Sequence, residues 1–365
     1  MTTSDSGAPE GGNATRETPS ADGVPPGVAL LRELPDRVRA AASRIRPFLH
    51  ETPFETARGL SRERAAAAPG GAVRWKLECF GVTGSFKIRG ALNKLLVLRD
   101  TAGARVLDEG VVTASTGNHG RATAHALALL GGRGTVFLPR TVADSKRRVL
   151  DEQYGDVVEL RLVGDDAVES EYAAREEAER SGRPFVSPYN DPDIIAGQGT
   201  VGFEMDAALG GEPLDAVLVP VGGGGLIAGI AGWLKHARPG IQVVGCQPRA
   251  SAVMAASVRA GRLLESGRDV PFEPTLADAV AGGVEAGAVT FALCSELVDA
   301  WILLDEGDIA GAMRRVLGER FAMVEGSAAL PVAALPQLDP GLASVGLVLS
   351  GAGISREGLR VLSGD

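Results

Sequence analysis

The sequence predicts an α/β fold in which mostly parallel sheet is covered by helices on both faces. Three observations predict it. Short apolar runs of strand length alternate with segments whose apolar residues recur at helical spacing. Several of those runs end in glycine-containing turns that lead straight into a helix, the usual connection between parallel strands. The chain, at 365 residues, is long enough for two domains or one large α/β domain.

The elements follow in order. Residues 1–26 are rich in Gly, Ser, Thr and Pro, and no basic start precedes an apolar stretch. They read as a disordered tail rather than a secretory signal. Over 35–45, Val38, Ala41, Ala42 and Ile45 recur at helical spacing, Pro35 suits the helix start, and Pro47 lies just past its end. Residues 72–78 alternate as a strand. Residues 87–98 form a helix with Ile88, Ala91, Leu95 and Leu98 on one face. Val111-Val112-Thr113-Ala114 is a buried strand ending at Ser115-Thr116-Gly117-Asn118-His119-Gly120, and a helix follows over 121–130. Then come a strand at 134–138, a helix at 144–153, a strand at 157–162 and a helix at 166–181. The Glu/Arg-rich face of that last helix needs solvent, so it closes a small subdomain. A second series has a strand at 216–220, a glycine loop at 222–225, a helix at 226–236 and a strand at 241–246. The closing strand is 345–349, followed by Ser350-Gly351-Ala352-Gly353.

Composition excludes some functions. A formal net charge of −9 argues against nucleic-acid or anionic-membrane partners. No apolar run approaches the ~18 residues of a membrane span. The three cysteines, Cys79, Cys246 and Cys294, are odd in number and far apart. They read as core residues of a reduced, cytoplasmic chain, without disulfides or zinc-site spacing.

Three segments carry chemistry. Thr83-Gly84-Ser85-Phe86-Lys87-Ile88-Arg89-Gly90-Ala91 holds one of only five lysines; the others are Lys76, Lys94, Lys146 and Lys235. Arginine is used freely, so a simple charge requirement does not need Lys87. Only lysine can lose a proton on desolvation and attack a carbonyl. In the second segment, 215–226, a strand precedes Gly222, Gly223, Gly224 and Gly225, and Leu226 opens a helix. Backbone N–H groups can converge there without Cβ interference, and the helix start favours an anion, so a phosphate fits. It is neither the Gly-x-Gly-x-x-Gly pattern nor a P-loop. The third segment, Ser115 to Gly120, offers two hydroxyls, an amide and an imidazole at a strand end. It suits a carboxylate, and Ser115 or Thr116 also suits a helix cap. Ser350, in the last turn, could meet a ring nitrogen.

In this order the segments resemble the fold-type-II pyridoxal-phosphate enzymes, in the threonine/serine dehydratase and serine racemase branch. Ile195-Ala196-Gly197-Gln198-Gly199-Thr200 and Met323-Val324-Glu325-Gly326-Ser327-Ala328 also match in place and order, and the similarity spans about residues 28–355. The resemblance implies two open, twisted, mostly parallel sheets like those of the tryptophan-synthase β chain. It divides the chain into a large cofactor-binding domain (27–108 and 188–365) and a small mobile substrate domain (109–187). It implies that Lys87 holds pyridoxal 5′-phosphate as a Schiff base and removes the α-proton. Phe86 packs beside the ring, Asn118 meets its 3′-oxygen, Gly222 to Gly225 with Leu226 cradle the phosphate, and Ser350 meets the ring nitrogen. Ser115, Thr116, Asn118 and His119 grip the substrate carboxylate. The implied reaction is β-elimination of a hydroxy amino acid to a 2-keto acid and ammonia, in a homodimer. Racemisation and β-replacement are the alternatives.

The sequence departs from that branch in three places. Thr116 stands where racemases place a serine on the opposite face of the cofactor. It keeps the acid/base hydroxyl, but its β-branch restricts χ1. The branch's divalent-metal site uses a Glu before Pro; here the segment is Cys246-Gln247-Pro248-Arg249-Ala250, uncharged at Gln247 and basic at Arg249, so no metal is expected. The Ala-Asp-Gly segment is Ala277-Asp278-Ala279. With the Ser-Thr-Gly-Asn-His-Gly spelling, it resembles dehydratase-like proteins of hydroxyectoine breakdown, which points to a diamino-acid substrate. The end at Asp365 leaves no room for a C-terminal regulatory domain.

Overall fold

A computed structural model describes residues 26–115, 117–165 and 167–363. The tail expected over 1–26 falls, up to residue 25, outside the described residues, as does Thr116. Among the described residues nine strands build two sheets: β1 Phe54–Thr56, β2 Ala72–Leu77, β3 Val111–Ala114, β4 Gly134–Leu138, β5 Val158–Leu162, β6 Ala216–Pro220, β7 Gln242–Pro248, β8 Ala300–Leu304 and β9 Ser344–Leu349. The larger sheet has the order β1-β2-β9-β6-β7-β8, and the smaller β3-β4-β5. Every pairing is parallel except β1 with β2. The expected α/β architecture of two mostly parallel sheets is therefore present.

β3, β4, β6 and β9 are buried at every position, which is why they read as continuous apolar runs rather than alternating ones. Register sets the site. Leu218 of β6 lies opposite Leu347 of β9, and Leu77 of β2 opposite Leu349. The carboxyl ends of these three strands therefore sit side by side. Beyond them, Ser85 bridges Gly351 and the Phe86 N–H donates to the Ser350 carbonyl at 3.1 Å. This draws the Lys87 segment onto the end of β9. In the smaller sheet, residues 184–186 run beside β3, with the Val186 N–H donating to the Val112 carbonyl at 2.8 Å.

Two helix starts differ from the sequence reading. The first helix is Pro26–Ile45, with Pro35 inside it. Its buried stripe of Leu30, Leu34, Val38, Ala41 and Ile45 begins before the proline, and that packing overrides the local break. The helix after β3 is Asn118–Leu130, so Asn118 and His119 lie in its first turn. Its N-cap is Gly117, whose side-chain-free position leaves no cap to Ser115; the Ser115 hydroxyl instead accepts the Gly117 N–H at 3.2 Å.

Sequence periodicity gives no sign of the helix Pro192–Leu209 at the molecule's centre. It is apolar almost all round and is capped by Asp191, whose carboxylate accepts the Asp193 and Ile194 N–H groups. It crosses the helix Gly225–Ala237 at contact distance: a Cβ on Gly229 would lie 2.3 Å from the Ile195 carbonyl oxygen. That crossing seats the helix whose N-terminus follows the glycine loop.

Candidate active site

The carboxyl ends of β3, β6 and β9 open onto one cavity of about 550 Å³. Lys87, the first residue of the helix Lys87–Ala102, reaches into it. Its ammonium donates to the Pro188 carbonyl at 2.7 Å and lies 5.2 Å from the centre of the Phe86 ring. The other four lysines all have carboxylate partners. Lys76 pairs with Glu78 and Glu204, Lys94 with Asp191 and Asp193, Lys146 with Asp278, and Lys235 with Asp299. Among the described residues Lys87 has no ion pair. Burial lowers its pKa to about 8, and the Glu325 charge works against the shift.

The helix that starts at Lys87 is pinned from behind. Arg89 is 2 % exposed; its guanidinium donates to both oxygens of Glu78, at 2.7 and 2.9 Å, and to both of Glu204, at 2.5 and 2.8 Å. Lys76 completes the cluster through Glu204 and the Thr52 carbonyl. Two cations face two carboxylates, so the buried charge balances.

Across the cavity lies the glycine loop. Gly222, Gly223 and Gly224 donate their N–H groups to no described residue, and the first N–H groups of the helix Gly225–Ala237 follow them. Side chains cannot enter this turn. A Cβ on Gly223 would lie 2.4 Å from the Tyr189 ring, and Gly224 has φ +87°. Free N–H donors, a helix start and a close-packed wall fit a phosphate group. Ser350 is buried at the cavity wall, and its hydroxyl bonds to no described residue.

Glu325 has no role in the sequence reading beyond its place in a matching segment. It is 3 % exposed and lines the same cavity. Its carboxylate accepts from Asn118 Nδ2 at 3.1 and 3.0 Å and from the Gly353 N–H at 2.9 Å. Burial raises its pKa, partly offset by the Asn118 hydrogen bond. An acid in the otherwise small and apolar run Val324 to Ala328 is the sequence signal for it.

His119 is tied to the backbone. Its Nε2 lies 3.0 Å from the Val186 carbonyl, which only accepts, so Nε2 carries the proton and Nδ1 a lone pair. Burial, with the Lys87 charge, lowers its pKa to about 3. That backbone bond fixes the helix start to strand-flanking residue 186. His119 lines the cavity together with Ser115, Asn118, Phe86 and Leu226. The cysteines are free and buried, and burial pushes the Cys79 and Cys294 thiols up to about 12. Among the described residues no cluster of three or more His, Cys, Asp or Glu could hold a metal. Gln247 bonds to the Val221 carbonyl and the Ala255 N–H, and Arg249 to Asp305.

A buried amine of lowered pKa, facing a free-donor glycine turn at the carboxyl ends of parallel strands, defines an enzyme that holds a phosphate-bearing carbonyl cofactor. The comparisons name the class. The family described as "Pyridoxal-phosphate dependent enzyme" matches residues 45–351, and the chain belongs to that family. An L-threonine ammonia-lyase of Thermotoga maritima is 36% identical over 318 residues, 87% of this chain and 75% of that protein. The solved structure of a processed threonine deaminase isoform 2 from Solanum lycopersicum superposes with a TM-score of 0.80 at 29% identity, covering 92% of this chain and 87% of that one. Maize serine racemase superposes with a TM-score of 0.79 at 30% identity, covering 89% and 95%. This chain is thus a pyridoxal-phosphate-dependent enzyme of the ammonia-lyase type.

Proposed function

We propose that the enzyme removes water from a β-hydroxy amino acid and releases a 2-keto acid and ammonia. The observation that carries this reading is Lys87: among the described residues the one lysine without an ion pair, with its pKa lowered to about 8, in a cavity with a phosphate-sized donor loop opposite. Pyridoxal 5′-phosphate, when bound, supplies the electron sink for the carbon that loses its proton. Gly222, Gly223, Gly224, Gly225 and Leu226 hold the phosphate through their N–H groups, and Phe86 packs beside the ring. Ser350 offers the ring nitrogen a hydroxyl, a hydrogen-bond partner too weakly acidic to protonate it fully. Asn118, oriented by Glu325, would offer its amide to the cofactor's 3′-oxygen. Lys87 anchors the cofactor, and its neutral Nζ takes the α-proton. The Ser115 hydroxyl, Asn118 and Thr116 would bind the substrate carboxylate. Thr116 would also serve as an acid/base group.

The small sheet belongs, in this reading, to a substrate domain over 109–187 that closes on the large domain of 27–108 and 188–365. The pair between Lys146, in the helix Asp144–Tyr154, and Asp278 spans that cleft at 3.5 Å. We place the enzyme in the cytoplasm as a homodimer. No described helix is long and apolar enough to cross a membrane.

A second reading narrows the substrate to a diamino acid, such as one from hydroxyectoine breakdown. Asp278 favours it, because its carboxylate lines the cavity and could take a distal ammonium. Incubation with L-threonine, L-serine and hydroxy-diamino acids, followed by keto-acid and ammonia assays, tests both. Equal yields of keto acid and ammonia are expected, and Asp278→Asn would lower turnover only of the diamino acid if the second reading holds. Inversion of the α-carbon without keto acid would mean a racemase instead.

A further inference from the structure

We infer that Gln247 is the positioning residue of the phosphate cradle, an uncharged amide clamp that aims the Gly222 N–H into the cavity. The inference rests on the cradle proposed above. Gln247, next to last in β7, is 1 % exposed. Its Nε2 donates to the Val221 carbonyl at 3.1 Å, and its Oε1 accepts the Ala255 N–H at 2.8 Å. Val221 is held on its other side as well, its N–H donating to the Cys246 carbonyl at 3.0 Å.

The peptide joining Val221 to Gly222 is trans and planar, so its N–H points opposite to its C=O. With the C=O turned onto Gln247, the N–H is turned away from it. Gly222 lines the cavity, and its N–H has no partner among the described residues. Glycine leaves this peptide free to rotate, so something other than a side chain of the loop must fix it. A flipped peptide would present a carbonyl oxygen to the anion.

The clamp needs a donor at one end and an acceptor at the other, without charge, which amide side chains provide. Ionised glutamate would set an oxygen against the Val221 carbonyl. Gln247 also ties the loop to the helix Val253–Ala260, whose Met254 side chain backs Gly224; a Cβ there would lie 3.0 Å from Met254 Cε.

The test uses the full-length chain reconstituted with pyridoxal 5′-phosphate or with pyridoxal, which lacks the phosphate. Affinity is read from the absorbance of the lysine-bound chromophore. Wild type should prefer the phosphorylated form. Gln247→Met and Gln247→Glu should lower its affinity about tenfold or more, with pyridoxal affinity changed less than about twofold. The loss in Gln247→Glu should deepen as pH rises and its carboxyl ionises; that in Gln247→Met should not. If either variant fails to fold, the other gives the readout. An unchanged preference in a folded variant overturns the role of Gln247. No preference in wild type removes the cradle itself, and the inference with it.

Discussion

Four of the five lysines are paired with carboxylates. Lys87 has only a carbonyl and an aromatic face for company. Desolvation is then unopposed by an ion pair and lowers the Lys87 pKa to about 8, whereas at Lys94 desolvation is outweighed by the Asp191 and Asp193 carboxylates, which raise it. The chemical consequence is a rate. Capture of pyridoxal 5′-phosphate by the full chain should rise about tenfold per pH unit below pH 8 and level off just above it, since only the neutral amine attacks. An unperturbed lysine would keep gaining rate to about pH 10. Stopped-flow absorbance reads the profile, and continued increase beyond pH 9 would exclude a lowered pKa. Glu325 holds that pKa up, so Glu325→Gln should move the levelling point to lower pH. Lys87 was legible in the sequence because arginine is so common and lysine so rare. Glu325 was not, because its meaning depends on Asn118 and Gly353, which are distant in sequence and meet only at the ends of β3 and β9.

At the level of elements, the site depends on where helices begin. The helix Lys87–Ala102 starts at the buried Lys87 amine, and Arg89 locks its first turn to Glu78 and Glu204. Arg89→Met would leave two buried carboxylates with Lys76 as their only cation. Denaturant unfolding should show a loss of about 3–5 kcal/mol. Cofactor retention should fall with it, because Lys87 is two residues away; an unaltered unfolding midpoint would show that the ion cluster does not hold the helix. The strands followed by glycine turns were legible because β3, β6 and β9 are short and wholly buried. The helix Pro192–Leu209 was not, since an all-round apolar surface with Gly197, Gly199 and Gly202 has no amphipathic period. Its glycines are explained only by the helices it touches. β1 and β8, at the two edges of the large sheet, were missed as well. β1 spans three residues, too short to show a pattern. The helix following Ser115 was placed three residues late, because Asn118 and His119 are poor helix formers whose contacts to Glu325 and residue 186 outweigh propensity.

At the level of the whole molecule, two mostly parallel sheets turn their carboxyl ends toward one cavity, the place where open α/β sheets put their ligands. The surface behind the site adds a consequence. Phe80, Val82, Phe321 and Met323 are 48%, 59%, 89% and 55% exposed, on segments that lead into Lys87 and Glu325. Arg320 lies 5.2 Å from the Phe80 ring, which joins two of these segments. A homodimer that covers them should lose affinity on Phe321→Asp and Met323→Asp; light scattering on the double variant should give the mass of one chain. A dimer of undiminished affinity would place the interface elsewhere. The central claim is simpler and can be read directly, because the chain has five lysines. Borohydride reduction of the holoenzyme followed by peptide mass mapping should leave the phosphopyridoxyl group on Lys87 alone. Recovery of that mass on Lys76, Lys94, Lys146 or Lys235, with Lys87 unmodified, would contradict it.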